Sequence, residues 1–146
     1  GLPAALSGLV YVVYLSGTWS SARAGALSKR YGRGVVVLAA ALLMLAGAIA
    51  VAAPSLWIAL AGLLVFTASF FALHSTASGW VGLIAERDRA EASSMYVFCY
   101  YMGSSILGAA TGWAYEGLPW AGFVSVLAVM LSVLAAVSAA LWRGAR

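Results

Sequence analysis

The stretch Gly25-Ala-Leu-Ser-Lys-Arg-Tyr-Gly-Arg-Gly34 is a basic interruption between two long apolar runs. Together with Arg23 it holds four of the eight Lys and Arg residues of the chain, and no acidic residue lies near it. Cationic loops that flank membrane spans are retained on the cytoplasmic side. We therefore predict a membrane protein with a cytoplasmic loop at residues 23–34.

The composition of the whole chain agrees with a membrane location. Of its 146 residues, 64% are hydrophobic and 8% are charged, whereas about a quarter of a soluble domain is charged. The lipid bilayer is thus the first predicted partner. The net charge of +4 accompanies no nucleic-acid motif, so we expect no nucleic-acid partner. A single cysteine, Cys99, excludes a multi-cysteine metal site, and we expect no cofactor and no metal.

The apolar runs predict an all-α polytopic fold with five transmembrane helices in a single membrane domain, residues 1–146. Each run is long enough to cross a hydrocarbon core of about 30 Å. Pro54 ends the second run and Ser55 is a cap for the third, so these two helices should be antiparallel neighbours. Ser93 or Ser94 should cap the fourth helix. The predicted spans are about 2–22, 35–53, 55–85, 94–115 and 120–142, with a second cytoplasmic loop at 86–92.

The charges predict the orientation of the chain, and the tryptophans agree with the predicted ends of the spans. Lys and Arg number four at residues 23–34, none at 54–55, two at 86–91, none at 116–119 and two at the C-terminus. This alternation puts the N-terminus outside and the C-terminus in the cytoplasm. Tryptophan prefers both membrane interfaces. In this topology Trp57, Trp113 and Trp120 lie at the outer boundary, and Trp19, Trp80 and Trp142 lie at the inner one.

Polar side chains follow one face of the first, third and fourth spans at helical spacing. The second span has no polar side chain and could face lipid almost all round, and the fifth has only scattered serines. Three helices should therefore enclose a polar cavity, with the other two outside them. The candidates for lining the cavity are Tyr11, Tyr14, Thr67, Phe71, His74, Tyr100 and Ser104.

Small residues suggest two surfaces for close helix packing. Gly17, Ser21 and Gly25 form one on the first span, and Ser104, Gly108 and Gly112 form the other on the fourth.

His74 is the only group of the acid-base kind within a predicted span, and two interpretations of it stay open. It is either a neutral imidazole bonded to a neighbouring helix or a residue of a polar pathway. No Asp or Glu lies inside any span, so a proton-coupling site is either His74 or lies outside this chain. No nucleophile elbow or partner acid accompanies Ser75, so we expect no enzyme activity.

The basic stretch resembles the cytoplasmic loop signature of the major facilitator superfamily, Gly-x-Leu-x-Asp-Arg-x-Gly-Arg. Gly25, Leu27, Arg30, Gly32 and Arg33 match, and Lys29 occupies the Asp position. The second copy of this signature usually lacks the acid, so the chain is similar to helices eight to twelve of such a transporter. Residues 70–82 and 96–105 resemble bacterial efflux-type members, including sugar and drug exporters.

This resemblance implies a partial C-terminal lobe of a secondary active transporter, which exports a small solute across the bacterial inner (plasma) membrane. It implies that helices eight, ten and eleven face the cavity, and that the missing N-terminal half and a small-molecule substrate are partners. The alternative is a non-transporting membrane subunit that packs against partner helices through the two small-residue surfaces. The absence of an initiator Met suggests a piece of a longer protein.

Arg30 and Arg33, which match the loop signature, have two possible roles. They either contact the inner ends of neighbouring helices, near acids such as Glu86 or Asp88, or serve only as topology signals.

Overall fold

In a computed structural model, the backbone of residues 4–144 and the side chains of residues 13–144 are described. This part of the chain forms five α-helices and contains no strand, so the all-α prediction is confirmed. The helices are α1 Ala4–Tyr31, α2 Arg33–Val51, α3 Leu56–Ile84, α4 Arg89–Gly117 and α5 Trp120–Gly144.

Three of these helices, α2, α3 and α5, are long and apolar enough to cross a membrane by length and composition. The fold is thus that of an all-α membrane protein. The last turn of α1 contains Lys29 and Arg30, and the first turn of α4 is charged, so both helices are less apolar than the other three. The boundaries of the individual spans stay predictions.

The prediction of a loop at residues 23–34 is wrong in its local structure. Helix α1 runs on to Tyr31 and α2 starts at Arg33, so only Gly32 interrupts the helices. Gly32 has a φ of +86°, which glycine adopts without a Cβ clash. Ala, Leu, Lys and Arg are good helix formers, and they extend α1 beyond its apolar part. The basic stretch is therefore a sharp turn between two helix ends.

The start of α4 also differs from the prediction. The helix begins at Arg89 rather than at Ser94, and its N-cap residue is Asp88, which has a φ of 55° and makes no side-chain cap hydrogen bond. Glu91 lies in the first turn, where a carboxylate complements the positive end of the helix. This charge and the helix-forming alanines account for the earlier start.

The turn between α2 and α3 follows the prediction closely. Helix α2 ends at Val51, before Pro54, and Ser55 is the N-cap residue of α3. The Ser55 side chain makes no cap hydrogen bond, so its position is as predicted but its bond is not formed.

Helix α2 is the centre of the described bundle, because it packs against α1, α3 and α5. The expectation that this helix faces lipid almost all round is wrong. Its small residues, placed one helical turn apart, let neighbouring backbones approach on one side. The buried residues of α2 are Gly34, Val36, Val37, Ala40, Ala41, Met44, Gly47 and Ala48.

The closest approach of α2 is to α3, where two glycines face each other. A Cβ added to Gly47 would lie 2.8 Å from the carbonyl oxygen of Gly62 and from the backbone nitrogen of Phe66. A Cβ on Gly62 would in turn lie 2.8 Å from the carbonyl oxygen of Gly47. Any larger residue at either position would push the two helices apart.

Helix α4 is the opposite case, since none of its residues is buried in the described part of the chain. Among the described helices it packs only against α3 and α5. Ser104, Gly108 and Gly112 are exposed, and a Cβ on either glycine would meet open space. A large surface of α4 is therefore open to lipid or to other polypeptide.

Candidate solute-binding site

Aromatic side chains form a continuous row from α1 across α3 to α4. We call this set the aromatic row, and it consists of Tyr14, Phe71, Phe70, His74, Tyr96 and Tyr100. Tyr14 meets Phe71 edge-on with ring centroids 6.1 Å apart, and Phe71 meets Phe70 edge-on at 5.5 Å. The ring of Phe70 is stacked on the imidazole of His74 at 5.9 Å and 13°. Helix α3 thus joins the other two helices through rings.

The contact between α3 and α4 depends on His74. Its ring lies 4.5 Å from that of Tyr100 and 5.6 Å from that of Tyr96, centroid to centroid. The Tyr96 hydroxyl is 3.0 Å from Nδ1 of His74 and 3.4 Å from the His74 carbonyl oxygen. In the tautomer protonated at Nε2, the hydroxyl donates to Nδ1 and the Nε2–H remains a donor for a ligand.

Helix α1 is fixed to α3 by small residues and hydroxyl groups. Gly17 leaves room for the ring of Phe71. The Ser20 hydroxyl donates to the carbonyl oxygen of Ala68 at 2.6 Å, and the Ser21 hydroxyl donates to that of Phe71 at 3.3 Å. The predicted packing residues Gly17 and Ser21 therefore lie against α3. The packing of α1 against α3 also brings the ring of Tyr14 into contact with that of Phe71.

The aromatic row is open on one side. In the described residues α1 and α4 do not contact each other, and the α3 residues of the row between them are partly exposed. Tyr14 is 57% exposed, and His74, Phe71 and Tyr100 are half-buried. A planar or apolar solute of modest size could lie against these rings.

The other predicted cavity residues extend the row in both directions. Thr67 is half-buried on α3, one helical turn before Phe71. Ser104 is exposed on α4, one turn beyond Tyr100. The side chain of Tyr11 lies outside the described residues. The structure thus brings Tyr14, Phe71, His74 and Tyr100 together and puts Thr67 and Ser104 at the periphery.

Two members of the row were missed by the sequence analysis. Neither Tyr96 nor Phe70 was among the predicted cavity residues. A usable signal existed for Tyr96, because it lies four residues before Tyr100 and so shares its helix face. Phe70 had no comparable signal, since its stacking on His74 depends on the side-chain rotamers.

The chemistry of the row is that of binding rather than of bond cleavage. It offers ring faces, tyrosine hydroxyls and one imidazole, and it contains no carboxylate. Among the described residues no group of His, Cys, Asp and Glu could hold a metal ion. Aromatic faces bind apolar and aromatic surfaces, and hydroxyls orient a ligand by hydrogen bonds.

The residues of the loop motif lie apart from the aromatic row. Leu27 is 45% exposed and a Cβ on Gly25 would meet open space. The guanidinium of Arg30 lies 5.1 Å from the ring centre of Tyr31 on the same helix. Within residues 13–144 no ion pair joins Arg30 or Arg33 to Glu86 or Asp88. Gly32 makes the turn and Arg33 is the first residue of α2.

The described residues thus form an all-α membrane fold in which α1, α3 and α4 contribute aromatic side chains to one row. Comparisons with known proteins show what the chain is similar to. The inner membrane transport protein YnfM of Escherichia coli is 45% identical over 139 residues, which are 95% of this chain. The MFS-type transporter YybF of Bacillus subtilis is 36% identical over 129 residues, or 88% of the chain.

A transporter of Buchnera aphidicola from Schizaphis graminum is 38% identical over 124 residues, or 85% of the chain. Over the part of such a protein that it spans, the chain is similar to MFS-type transporters, and its relatives are named as transporters rather than enzymes. The chain spans about a third of their length, 30% to 33%. No family model and no solved structure matches it.

Proposed function

We propose that this chain supplies helices eight to twelve of a secondary active transporter that moves a small solute outward across the bacterial inner membrane. All five helices cross the membrane in this proposal, with the N-terminus outside and the C-terminus in the cytoplasm. The solute is a sugar or a drug-like compound. The observation that carries the proposal is the aromatic row, which lies open between α1 and α4 in a chain whose relatives are transporters.

The arrangement of the helix ends supports the proposed orientation. Gly34 at the start of α2 packs against Trp142 near the end of α5. Trp80, near the end of α3, lines the same cavity as Arg33. The segments that hold the Lys and Arg residues are therefore at one end of the bundle, as a cytoplasmic surface requires.

The aromatic row suggests how a solute would be held. The rings of Tyr14 and Tyr100 would lie on either side of it, and the Nε2–H of His74 would donate a hydrogen bond. Because Tyr96 binds Nδ1, the imidazole is held in one orientation before the solute arrives. The row carries no charged group, which favours neutral or weakly polar solutes. The rest of the transporter would close the other side of the site and provide alternating access.

The exposed small-residue surface of α4 supports contact with helices outside this chain. In a transporter these helices belong to the missing part of the protein, and in the alternative they belong to a partner of a non-transporting subunit. The absence of any buried residue on α4 fits both interpretations. A measurement of transport distinguishes the transporter from the non-transporting subunit.

The test uses the complete protein that contains this chain. Cells that express it, and cells with the empty vector, are loaded with fluorescent drug-like dyes and labelled sugars, and the loss of each compound is followed. We expect faster loss of at least one compound, and we expect a protonophore to abolish the difference. Equal loss from both cell types for every compound would favour the subunit.

A further inference from the structure

The junction of α1 and α2 carries three basic residues, and only two of them lie at a helix end that favours positive charge. Lys29 and Arg30 lie in the last turn of α1, where positive charge suits the negative end of the helix. Helix α2, however, begins on Arg33, and its first turn has no acidic residue and no side-chain cap hydrogen bond. A cation beside the positive end of a helix is unfavourable unless an anion is bound there.

Two buried hydroxyl groups lie close to this junction. Ser28 Oγ and Thr76 Oγ1 are buried and have no hydrogen-bond partner in the described part of the chain. Thr76 as a residue is only 7% exposed. Native structures pair nearly all buried polar groups, so these two hydroxyls point to a ligand.

Both hydroxyl residues line one cavity between α1 and α3. This cavity has a volume of about 260 Å³, and its lining includes Lys29 and Arg33 but no acidic residue. A second cavity of about 430 Å³ surrounds the start of α2 and shares Ser28 and Arg33 with the first. The two cavities therefore adjoin, and we call them together the basic groove.

We propose that the basic groove binds a phosphate-type oxyanion, which is either the phosphate of a lipid headgroup or free inorganic phosphate. Arg33 and Lys29 would donate charge-assisted hydrogen bonds to it. The free N–H groups of the first turn of α2 would bind a further oxygen. This inference does not depend on the solute of the aromatic row.

The test measures the melting temperature of the complete protein in phosphatidylcholine nanodiscs. One series adds inorganic phosphate and the other adds an increasing mole fraction of phosphatidylglycerol. A saturable rise with phosphate identifies a site for the free anion, whereas a rise with phosphatidylglycerol alone identifies a lipid headgroup site. A saturable rise in neither series overturns the proposal.

Substitutions locate the site. Arg33→Gln should weaken the apparent affinity about tenfold, because a hydrogen bond to a charged group is lost. Arg33→Lys keeps the charge and should retain most of the binding. Arg143→Gln, a change of the same charge on α5, should leave the affinity unaltered. Equal losses from Arg33→Gln and Arg143→Gln would mean diffuse surface charge and would overturn the proposal.

Thr76→Val separates a ligand-binding hydroxyl from a merely buried one. Valine has nearly the same shape as threonine, so the variant should fold and bind the anion several-fold more weakly. Thr111→Val is the control, because the Thr111 hydroxyl bonds only to its own helix. A higher melting temperature for Thr76→Val with unchanged anion affinity would exclude Thr76 from the site and contradict the proposal.

Discussion

At the level of single residues, the pair formed by His74 and Tyr96 decides how the candidate site is interpreted. The hydrogen bond between the Tyr96 hydroxyl and His74 Nδ1 occupies one ring nitrogen. Rings of Phe70 and Tyr100 are in contact with the imidazole. These contacts hold the imidazole in one orientation, as a hydrogen-bond donor to a solute requires.

The first prediction concerns His74→Gln in the complete transporter. Glutamine can still form hydrogen bonds with Tyr96 and with a solute, but it cannot take up a proton. We expect proton-driven transport to persist with a modestly weaker apparent affinity, as measured by solute efflux against external pH. Abolished proton coupling with intact solute binding would show that His74 is the proton site.

The second prediction concerns the glycine contact between α2 and α3. Gly47→Val should destabilise the protein by about 1–3 kcal/mol, because a Cβ at this position meets backbone atoms of α3 and the two helices must separate. Gly103→Val is the matched control, since a Cβ there would meet open space. Thermal unfolding in detergent measures both variants, and equal melting temperatures would contradict the packing.

Residue positions on a helix face could be predicted from spacing, but rotamers could not. Tyr14, Phe71, His74 and Tyr100 were selected because they fall on polar or aromatic stripes, and the structure brings them together. The Gly47–Gly62 contact was not predicted, because an apolar span with scattered glycines does not indicate which glycine faces a helix.

At the level of elements, the one-residue turn at Gly32 sets how α1 and α2 meet. The third prediction is that Gly32→Ala destabilises the protein by about 1 kcal/mol, because a φ of +86° is unfavourable for a residue with a Cβ. Gly32→Asn should cost about as much, because a φ of 86° with a ψ of 149° lies outside the left-handed helical region that asparagine tolerates. Both variants should melt at a lower temperature than the unaltered protein. Equal values for all three would mean that α1 and α2 can meet in another way.

Hydropathy predicted which segments are helical better than it predicted where the helices end. It locates the apolar part of a span, whereas the backbone hydrogen bonds continue wherever helix-forming residues follow. Residues 23–31 illustrate this, because they are charged in part and still helical. The fourth helix illustrates it at the other end, where Arg89 rather than Ser94 is the first residue.

At the level of the whole molecule, the number and type of the helices followed from sequence, but their neighbours did not. An apolar α2 was expected at the outside, yet it packs against three other helices. Hydropathy does not distinguish a face that contacts lipid from one that contacts apolar side chains. Small residues such as Ala40, Ala41 and Gly47 carry that information.

The fourth prediction is the orientation of the molecule in the membrane. In a Cys99→Ala background, a cysteine at Lys29, which is exposed, should resist a membrane-impermeant thiol reagent added to intact cells. A cysteine at Leu118, in the turn between α4 and α5, should react. Labelling after cell lysis controls for accessibility at Lys29. The reverse pattern in intact cells would mean that the bundle is inserted the other way.

The most direct test of the central claim compares two tyrosines of α4 in the complete protein. Tyr100 belongs to the aromatic row, whereas Tyr115 packs on Phe123 away from it. For a solute that the protein exports, Tyr100→Ala should raise KM roughly threefold to tenfold, the loss expected for one aromatic contact. Tyr115→Ala should leave KM unchanged at equal amounts of protein in the membrane. An unchanged KM for Tyr100→Ala would contradict the assignment of the aromatic row as the solute-binding site.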